Sequence, residues 1–350
     1  MTVRVAFVTV GDTNRLTGGY LYNARVLDAL RKMGVCVEEI IACGASPEEQ
    51  EEAARRLGTT LDPRHFDVIV VDALARIVCS PHLDRWHKER PVAAMVHELP
   101  SVAGGDTVSR EHEEPLLHSD RVISVSDHGR SILEDRGVSA GRIRVVPPGS
   151  DRLPKGDESD RSAPDGTVRA LCVAQWIPRK GILELVRAWS LDERPRASLE
   201  LVGETDADPR YAASVRAAIA DTPDASITVK GPVDDRALAA AYAAADLFVL
   251  PSRYEGYGVV YAEALAQGLP VVACNVSTVP EVVGEEAALL VPPGDVEALS
   301  GALDLLLNDA DRRGRMSSAA RYRAEALPRW EDTAAGFLRV LRELVAERSS

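Results

Sequence analysis

A strand, a glycine-containing loop and a helix follow one another within residues 247–268, and this order constrains the fold more than any other stretch. Residues 247–250 (LFVL) are typical of a buried strand, which Pro251 ends. The loop contains the tetrapeptide EGYG, and residues 259–267 have the apolar pattern of a buried helix that Gly268 closes as a C-cap. This arrangement directs backbone N–H groups and the positive end of a helix dipole into the loop, which favours an anionic ligand such as phosphate.

Two carboxylates flank this loop. Glu255 precedes its first glycine, and Glu263 interrupts the apolar pattern of the helix. A buried charge is costly unless polar groups compensate it, so one interpretation places Glu263 on a solvent-facing edge of the helix. The other interpretation pairs Glu263 with Glu255 in binding a hydroxyl-rich ligand held over the loop. A glycine-containing strand-to-helix turn does not by itself decide between them.

Length and charge narrow the class of protein. The chain has 350 residues, which is too long for one ordinary core, so we expect two α/β domains. A net charge of −13 argues against nucleic-acid binding and against broad attraction to anionic membranes. The five cysteines are scattered without metal-ligand spacing, as in a reducing compartment. The first apolar run is too short for a signal peptide or a membrane span, so we expect a cytoplasmic protein without an integral membrane segment.

The apolar pattern alternates between short strands and helices along nearly the whole chain. A polar stretch rich in proline, glycine and aspartate interrupts this alternation and predicts a linker at residues 152–166. We therefore predict two doubly wound, Rossmann-like domains, 1–151 and 167–328, whose carboxyl strand ends face each other across a cleft. The apolar spacing of the last helix suits packing across a surface, so residues 330–350 are expected to cross back to the first domain.

Paired glycines and one histidine are the candidate site residues of the first half. Gly18 and Gly19 precede a helix predicted at residues 20–33, either as a plain tight turn or to let the backbone approach a phosphate or sugar. No G-x-G-x-x-G is present, so the nicotinamide and flavin fingerprint is absent. His97 follows a strand at residues 92–96, where open α/β sheets bind ligands, although a structural role fits its position equally well.

Two cations lie just before the first predicted helix of the second half. Arg179 and Lys180 precede a helix predicted at residues 182–189, and cations are poorly placed at the positive end of a helix dipole. A bound diphosphate would satisfy both the cations and the dipole. The alternative is a pair of solvated surface side chains.

The chain resembles the retaining glycosyltransferases of family four, the group 1 glycosyltransferases, which have the GT-B fold. In the second half the resemblance is carried by an ordered series: residues 201–203 (LVG), 230–233 (KGPV), 245–247 (ADL), 251–252 (PS), 255–258 (EGYG), 263–266 (EALA), 268–272 (GLPVV), 280–283 (PEVV) and 291–295 (VPPGD). The first half is similar to the family more loosely, through residues 17–19 (TGG), His97, 119–126 (SDRVISVS) and 145–151 (VVPPGSD).

This resemblance implies a hexosyltransferase-type enzyme that uses a nucleotide-diphosphate sugar as donor, with no further cofactor and no metal. The donor would be held by the second half, and a small-molecule or saccharide acceptor by the first. The implied catalytic residues are His97 at the reacting sugar, Glu255 beside the donor sugar and Lys180 at the diphosphate. Glu263 would bind the ribose hydroxyls. The other implied donor-binding residues are Gly18, Gly19, Gln175, Arg179, Lys230, Val233, Gly256, Tyr257, Gly258 and Val259.

One departure from the family and one open question affect the substrates. Where the family usually has Gly-Arg, this chain has Ala174-Gln175, which leaves Arg179 as the candidate second charge beside Lys180. Two alternatives stay open, a sugar-nucleotide epimerase or hydrolase on the same fold and an inactive sugar-nucleotide binder, of which the second is motivated by Gln175. The predicted acceptor loops are polar, which favours a soluble acceptor over a lipid; they surround Arg15, Tyr20, Arg76 and residues 100–107. The oligomeric state stays open.

Overall fold

A computed structural model describes residues 2–11, 17–42, 46–104, 107–155, 165–194, 196–222 and 226–349. The chain divides into two compact units, one formed by Met1–Gly149 with Arg329–Ser350 and the other by Ser150–Pro328. Residues 156–164 of the predicted linker lie outside the described residues, as do Arg15 and residues 105–106 of the predicted acceptor loops. Leu153, near the start of that linker, is buried.

The first unit is built on a six-stranded parallel sheet with the strand order β2-β1-β3-β4-β5-β6. Its central strands are continuous aliphatic runs, as expected for a sheet covered on both faces, and every residue of β3 and β4 is buried. The strands are β1 (Arg4–Val10), β2 (Cys36–Ala42), β3 (Val68–Asp72), β4 (Val92–Val96), β5 (Arg121–Ser124) and β6 (Ile143–Val145).

Helices connect these strands, and some were not predicted. They are α1 (Gly18–Lys32), α2 (Pro47–Thr60), α3 (Arg76–Cys79), α4 (Leu83–Glu89), α5 (Pro100–Ala103), α6 (Thr107–Leu117) and α7 (Asp127–Asp135). The first turns of α2 are rich in glutamate, and Ser46 and Glu49 form a capping box at its start. Ser126 caps α7, since its hydroxyl accepts from the N–H of Gly129.

The second unit also contains a six-stranded parallel sheet, with the order β12-β11-β10-β7-β8-β9. The strands are β7 (Val168–Val173), β8 (Ala197–Val202), β9 (Ile227–Gly231), β10 (Leu247–Leu250), β11 (Val271–Cys274) and β12 (Ala288–Val291). The helices are α8 (Ile182–Trp189), α9 (Pro209–Ala220), α10 (Asp235–Ala244), α11 (Val259–Ala266), α12 (Val279–Val283), α13 (Val296–Asn308) and α14 (Ala310–Glu325). Gln267 is the C-cap of α11, and Gly268 follows it at φ 70°.

Each sheet has a point at which the direction of strand addition reverses. In the first unit β1 lies between β2 and β3, and in the second unit β7 lies between β8 and β10. Helices after neighbouring strands then cover opposite faces, which leaves a crevice outside the carboxyl ends of those strands. The prediction of two Rossmann-like halves is confirmed. A ligand site is therefore expected at the loops that follow β1, β3, β7 and β10.

The last helix, α15 (Trp330–Ser349), belongs to the first unit and packs against α1. The Thr333 hydroxyl donates to the carbonyl of Pro147 at 2.8 Å, and a Cβ on Gly149 would lie 2.2 Å from the Trp330 nitrogen. The predicted return of this helix to the first half of the chain is confirmed. Among the described residues, no helix has both the length and the apolarity that crossing a membrane requires.

Candidate functional site

Two loops meet at the carboxyl ends of β7 and β10 in the second unit. The loop after β7 contains a 3-10 turn, Pro178–Lys180, and its Arg179 carbonyl accepts from the N–H of Arg253 at 2.8 Å. Gly181 follows the turn at φ 69°, and a Cβ there would lie 2.3 Å from the Pro251 carbonyl oxygen. Glycine is therefore required where the two loops touch.

Glu255 is a buried carboxylate at the centre of this contact. Lys180 Nζ lies 2.7 Å from Glu255 Oε1, and the Ser252 hydroxyl donates to the same oxygen at 2.6 Å. The Arg179 guanidinium is 3.9 Å from Glu255 Oε2. Burial alone would raise the pKa of Glu255, but Lys180, Arg179 and the hydrogen bonds outweigh it and lower that pKa. The site thus holds an ionised carboxylate between two cations.

The structure brings the side chains of Arg179, Lys180 and Glu255 together. The side chains of Lys180 and Arg179 are only 15% and 24% exposed, so the alternative of two solvated surface cations is wrong. Sequence reasoning missed Ser252 and Ser277 as partners of Glu255. The Glu255 N–H donates to Ser277 Oγ at 2.9 Å across 22 residues of sequence, a separation that no local pattern indicates.

The glycine loop leads directly into α11. Gly258 is the N-cap of this helix at φ 87°, and a Cβ there would lie 2.5 Å from the ring of Tyr261. Tyr257 and Val259 are buried on either side of it, while Gly256 is partly buried. The first N–H groups of a helix have no partner within it, so the start of α11 presents donors to this loop.

Glu263 is buried within α11, with 2% of its side chain exposed. Arg152 Nε donates to Glu263 Oε1 at 2.7 Å, and the Tyr242 hydroxyl donates to Oε2 at 3.2 Å. Arg152 also forms an ion pair with Asp235. Burial raises the pKa of Glu263 in spite of Arg152. The solvent-edge interpretation of Glu263 is wrong, and its cation comes from the start of the predicted linker, where nothing in the sequence marked Arg152.

The remaining predicted donor-binding residues are distributed over the sheet. The Gln175 amide, which was predicted to bind the donor, donates to Glu204 Oε2 at 2.5 Å. Its hydrogen-bond partner is therefore a carboxylate of the same unit. Lys230 lies on β9, with β7 and β8 between it and β10, and its side chain is 51% exposed. Val233 is partly buried just before α10. The structure does not bring Lys230 to Glu255.

In the first unit, a buried hydrogen-bond chain joins the ends of β1, β3 and β4. The Thr9 hydroxyl and the Asn23 amide donate to Asp72 Oδ2 at 3.0 Å and 2.6 Å. His97 Nε2 lies 3.0 Å from Asn23 Oδ1. Because the Asn23 nitrogen donates to Asp72, its oxygen must accept from His97, so Nε2 carries the proton and Nδ1 is left as an acceptor. Sequence reasoning predicted His97 and missed Asn23 and Asp72.

The paired glycines begin α1 beside this histidine. Gly18 and Gly19 are the first two residues of the helix, so the interpretation as a plain tight turn is wrong. A Cβ on Gly19 would lie 3.2 Å from His97 Cδ2, and the ring of Tyr22 packs edge-on against the imidazole with centroids 5.1 Å apart. Glycine thus makes room for His97. Burial lowers the pKa of His97 although Asp72 and Glu98 act to raise it.

The predicted acceptor loops have structural roles as well. The Tyr20 hydroxyl donates to the Val10 carbonyl at 2.8 Å, and Arg76 begins α3. In α5 the N–H and hydroxyl of Ser101 donate to Glu113 at 2.9 Å and 2.5 Å. The buried Glu113 also pairs with Arg136 at 3.1 Å. The loop after β4 is therefore anchored at its start.

Replacing Arg152 with methionine tests how Glu263 is held. The change leaves a buried carboxylate without its cation, and the expected loss is about 3 kcal/mol of unfolding free energy at pH 7.5. In Arg152→Met the folded-state pKa of Glu263, which already lies above its ordinary 4.5, rises further. The loss of unfolding free energy therefore shrinks as the pH falls towards that ordinary value. Urea unfolding at pH 7.5 and at pH 5 measures the loss and its dependence on pH. The exposed Arg196→Met is the control in the same unit, and an equal loss at both pH values would contradict this account.

The stability of the first unit should depend on the charge of His97. Its folded-state pKa lies below the ordinary 6.5, so its contribution is complete above pH 6.5 and is lost as the pH falls below that value. His97→Gln should reduce the slope of unfolding free energy against pH between 6.5 and 5.5. His65→Gln, which changes a histidine side chain that is 77% exposed, should leave the slope unchanged. Identical slopes for wild type and His97→Gln would show that the histidine is not held neutral.

Residues 157–323 match the family model of "Glycosyl transferases group 1". The chain is 32% identical to an MMP alpha-(1->4)-mannosyltransferase of Mycolicibacterium hassiacum, over 83% of this chain and 66% of the relative. It is also 32% identical to a GDP-mannose-dependent alpha-(1-6)-phosphatidylinositol monomannoside mannosyltransferase of Mycobacterium tuberculosis, over 64% and 62% of the two chains. The chain thus spans less than two thirds of the length of these relatives.

Solved structures agree with this family. The sucrose-phosphate synthase of Thermosynechococcus elongatus superposes with a TM-score of 0.84 at 26% identity, over 99% of this chain and 100% of that one. A glycosyltransferase from Rickettsia africae has the same fold, with a TM-score of 0.77 at 18% identity over 98% and 99% of the two chains. On its matched residues, its sequence relatives and its fold, the second unit of the chain is a group 1 glycosyltransferase domain.

Proposed function

We propose that this protein is a retaining, metal-independent glycosyltransferase that transfers a sugar from a nucleotide-diphosphate sugar to a hydroxyl acceptor. The observation that carries the proposal is the buried Glu255 with Lys180 and Arg179 beside it, at the point where the second sheet reverses direction. Open α/β sheets bind ligands at this point. Two cations there, with the start of α11, suit a diphosphate that becomes more negative as the sugar departs.

The relatives favour mannose as the sugar and GDP as its carrier. One of them is named as GDP-mannose-dependent and another as a mannosyltransferase. We therefore propose GDP-mannose as the first donor to test. The named acceptors of these relatives differ, and further relatives at 32% and 29% identity are named as D-inositol 3-phosphate glycosyltransferases. They have in common only a hydroxyl on a sugar or polyol, which is the acceptor class we propose.

In the proposed reaction, the bond between the anomeric carbon and the diphosphate oxygen breaks, and the acceptor oxygen bonds to that carbon. The acceptor proton passes to the departing diphosphate, so the reaction balances without a further reactant. Lys180 and Arg179 stabilise the developing negative charge, which is the task a metal ion would otherwise perform. Attack on the same face as departure, by analogy with the family, preserves the anomeric configuration.

Two further residues have proposed roles. Glu263 would accept from the ribose hydroxyls, since Arg152 and Tyr242 each occupy one side of a carboxylate that has about four acceptor positions. His97 would present Nδ1 to a hydroxyl of the sugar or acceptor, because Asn23 holds Nε2. His97 suits this role because burial favours its neutral form. Glu263 suits its role because Arg152 and Tyr242 compensate its carboxylate.

Radiolabelled GDP-mannose and UDP-glucose, each with a panel of sugar, polyol and inositol phosphate acceptors, test the proposal. Transfer is expected, and NMR of the product should show the anomeric configuration of the donor. Lys180→Ala and Glu255→Gln should each lower kcat/KM by about 10²- to 10³-fold, as expected when a charge that acts in the transition state is lost. Lys155→Ala, which changes an exposed lysine of the same unit, should leave kcat/KM unchanged.

Three outcomes contradict the proposal in different ways. Loss of donor without transfer indicates a sugar-nucleotide hydrolase or epimerase. Binding without turnover indicates an inactive binder, in which Gln175 and Glu204 have replaced the usual charge. Undiminished transfer by Lys180→Ala and Glu255→Gln means that the site lies elsewhere.

A further inference from the structure

Ser277 has an unfavourable backbone conformation beside Glu255. It lies between β11 and α12 with φ 43°, and among the described residues no other non-glycine residue has a positive φ. The Cβ of an L-residue is crowded there, whereas glycine adopts this conformation freely. Backbone strain of this kind persists only where the surrounding structure enforces it, and it concentrates at functional sites. The serine side chain must therefore contribute something that glycine would not.

The hydroxyl of Ser277 contacts the backbone of the proposed catalytic carboxylate. Ser277 Oγ accepts from the Glu255 N–H at 2.9 Å, while Ser252 and Lys180 hold the Glu255 side chain at 2.6 Å and 2.7 Å. Ser277 follows β11, which pairs with β10 in the sheet, and Glu255 follows β10. The hydroxyl thus connects the loops of two neighbouring strands. The Glu255 backbone is fixed from one loop and its carboxylate from another.

We propose that Ser277 is a positioning residue, whose strained backbone holds its hydroxyl against the Glu255 N–H and thereby aims the Glu255 carboxylate at Lys180. This inference rests on the proposed function for the reaction that Glu255 serves. A residue that only satisfied a buried N–H would affect stability alone. A positioning residue also changes the interaction between the two side chains that it aligns, and lowers kcat more than it raises KM for the donor.

Substitutions at Ser277 test the effect of its hydroxyl and the effect of its backbone strain separately. Ser277→Ala removes the hydroxyl and keeps the Cβ, whereas Ser277→Gly removes both. Both variants are expected to lose about tenfold in kcat, the effect of one misaligned hydrogen bond, with KM for the donor changed much less. Ser277→Gly should unfold at a higher temperature than Ser277→Ala, because only the glycine relieves the strain. Ser277→Thr keeps the oxygen, so its kcat should fall less, although its branched Cβ lowers the unfolding temperature.

Ser214→Ala is the matched control, since it removes an exposed hydroxyl from α9 in the same unit and should keep wild-type kcat and unfolding temperature. Wild-type kcat in Ser277→Gly or Ser277→Ala would overturn the positioning role. Equal unfolding temperatures for these two variants would overturn the assignment of strain. A kcat loss in Ser277→Thr as large as that in Ser277→Ala would show that the hydroxyl is not what matters.

A second measurement does not depend on catalysis. Urea unfolding of Lys180→Met, Glu255→Gln and the double variant gives the coupling between the two side chains, and repeating this cycle with Ser277→Ala gives the effect of the hydroxyl. The coupling is expected to fall to about half of its value or less, as for residues that share one network. An unchanged coupling overturns the proposal even if the wild-type protein transfers no sugar. Absence of transfer with a reduced coupling refutes only the proposed function.

Discussion

The structure of the second unit depends on keeping the Glu255 carboxylate ionised while it is buried. Taking a carboxylate out of water costs several kcal/mol unless cations and hydrogen bonds surround it, and here Lys180, Arg179 and Ser252 supply them. These partners come from two loops that are 75 residues apart in sequence but follow adjacent strands. The close approach of those loops in turn requires Gly181. The sheet order, the glycine and the ion pair are parts of one arrangement.

The two units contain buried polar networks that are built from different chemical groups. Each places a buried polar network at the carboxyl end of a parallel sheet, where the strand order reverses. In the second unit the network is made of charges, and the pKa of Glu255 falls. In the first unit Asp72 is the one acid in a chain that reaches His97 through Asn23, and the histidine is kept neutral by burial. This difference agrees with the proposed roles, in which a diphosphate binds beside Lys180 and a hydroxyl beside His97.

Much of this fold could be predicted because central strands such as β4, β10 and β11 are short apolar runs that are buried throughout. The bounds of β4, β10 and α8 agree with the sequence prediction. Lys180 could be found because it is a cation just before a predicted helix, and Glu255 because it precedes the glycines of a strand-to-helix loop. Arg152, Asn23 and Ser277 could not, since each acts on a residue far along the chain, and its own neighbours carry no pattern. Helix α2 was missed because its start is rich in glutamate and its buried side chains, apart from Leu57, are alanines.

The central claim is that Lys180, held by Glu255, is placed to bind the diphosphate of a nucleotide. Calorimetric titration of wild type and Lys180→Met with GDP and with GMP tests it most directly, because the two ligands differ only in the second phosphate. Wild type should bind GDP at least about tenfold more tightly than GMP, a difference of about 1.4 kcal/mol, and Lys180→Met should lose most of that preference. A preference for GDP that survives the substitution would contradict the account.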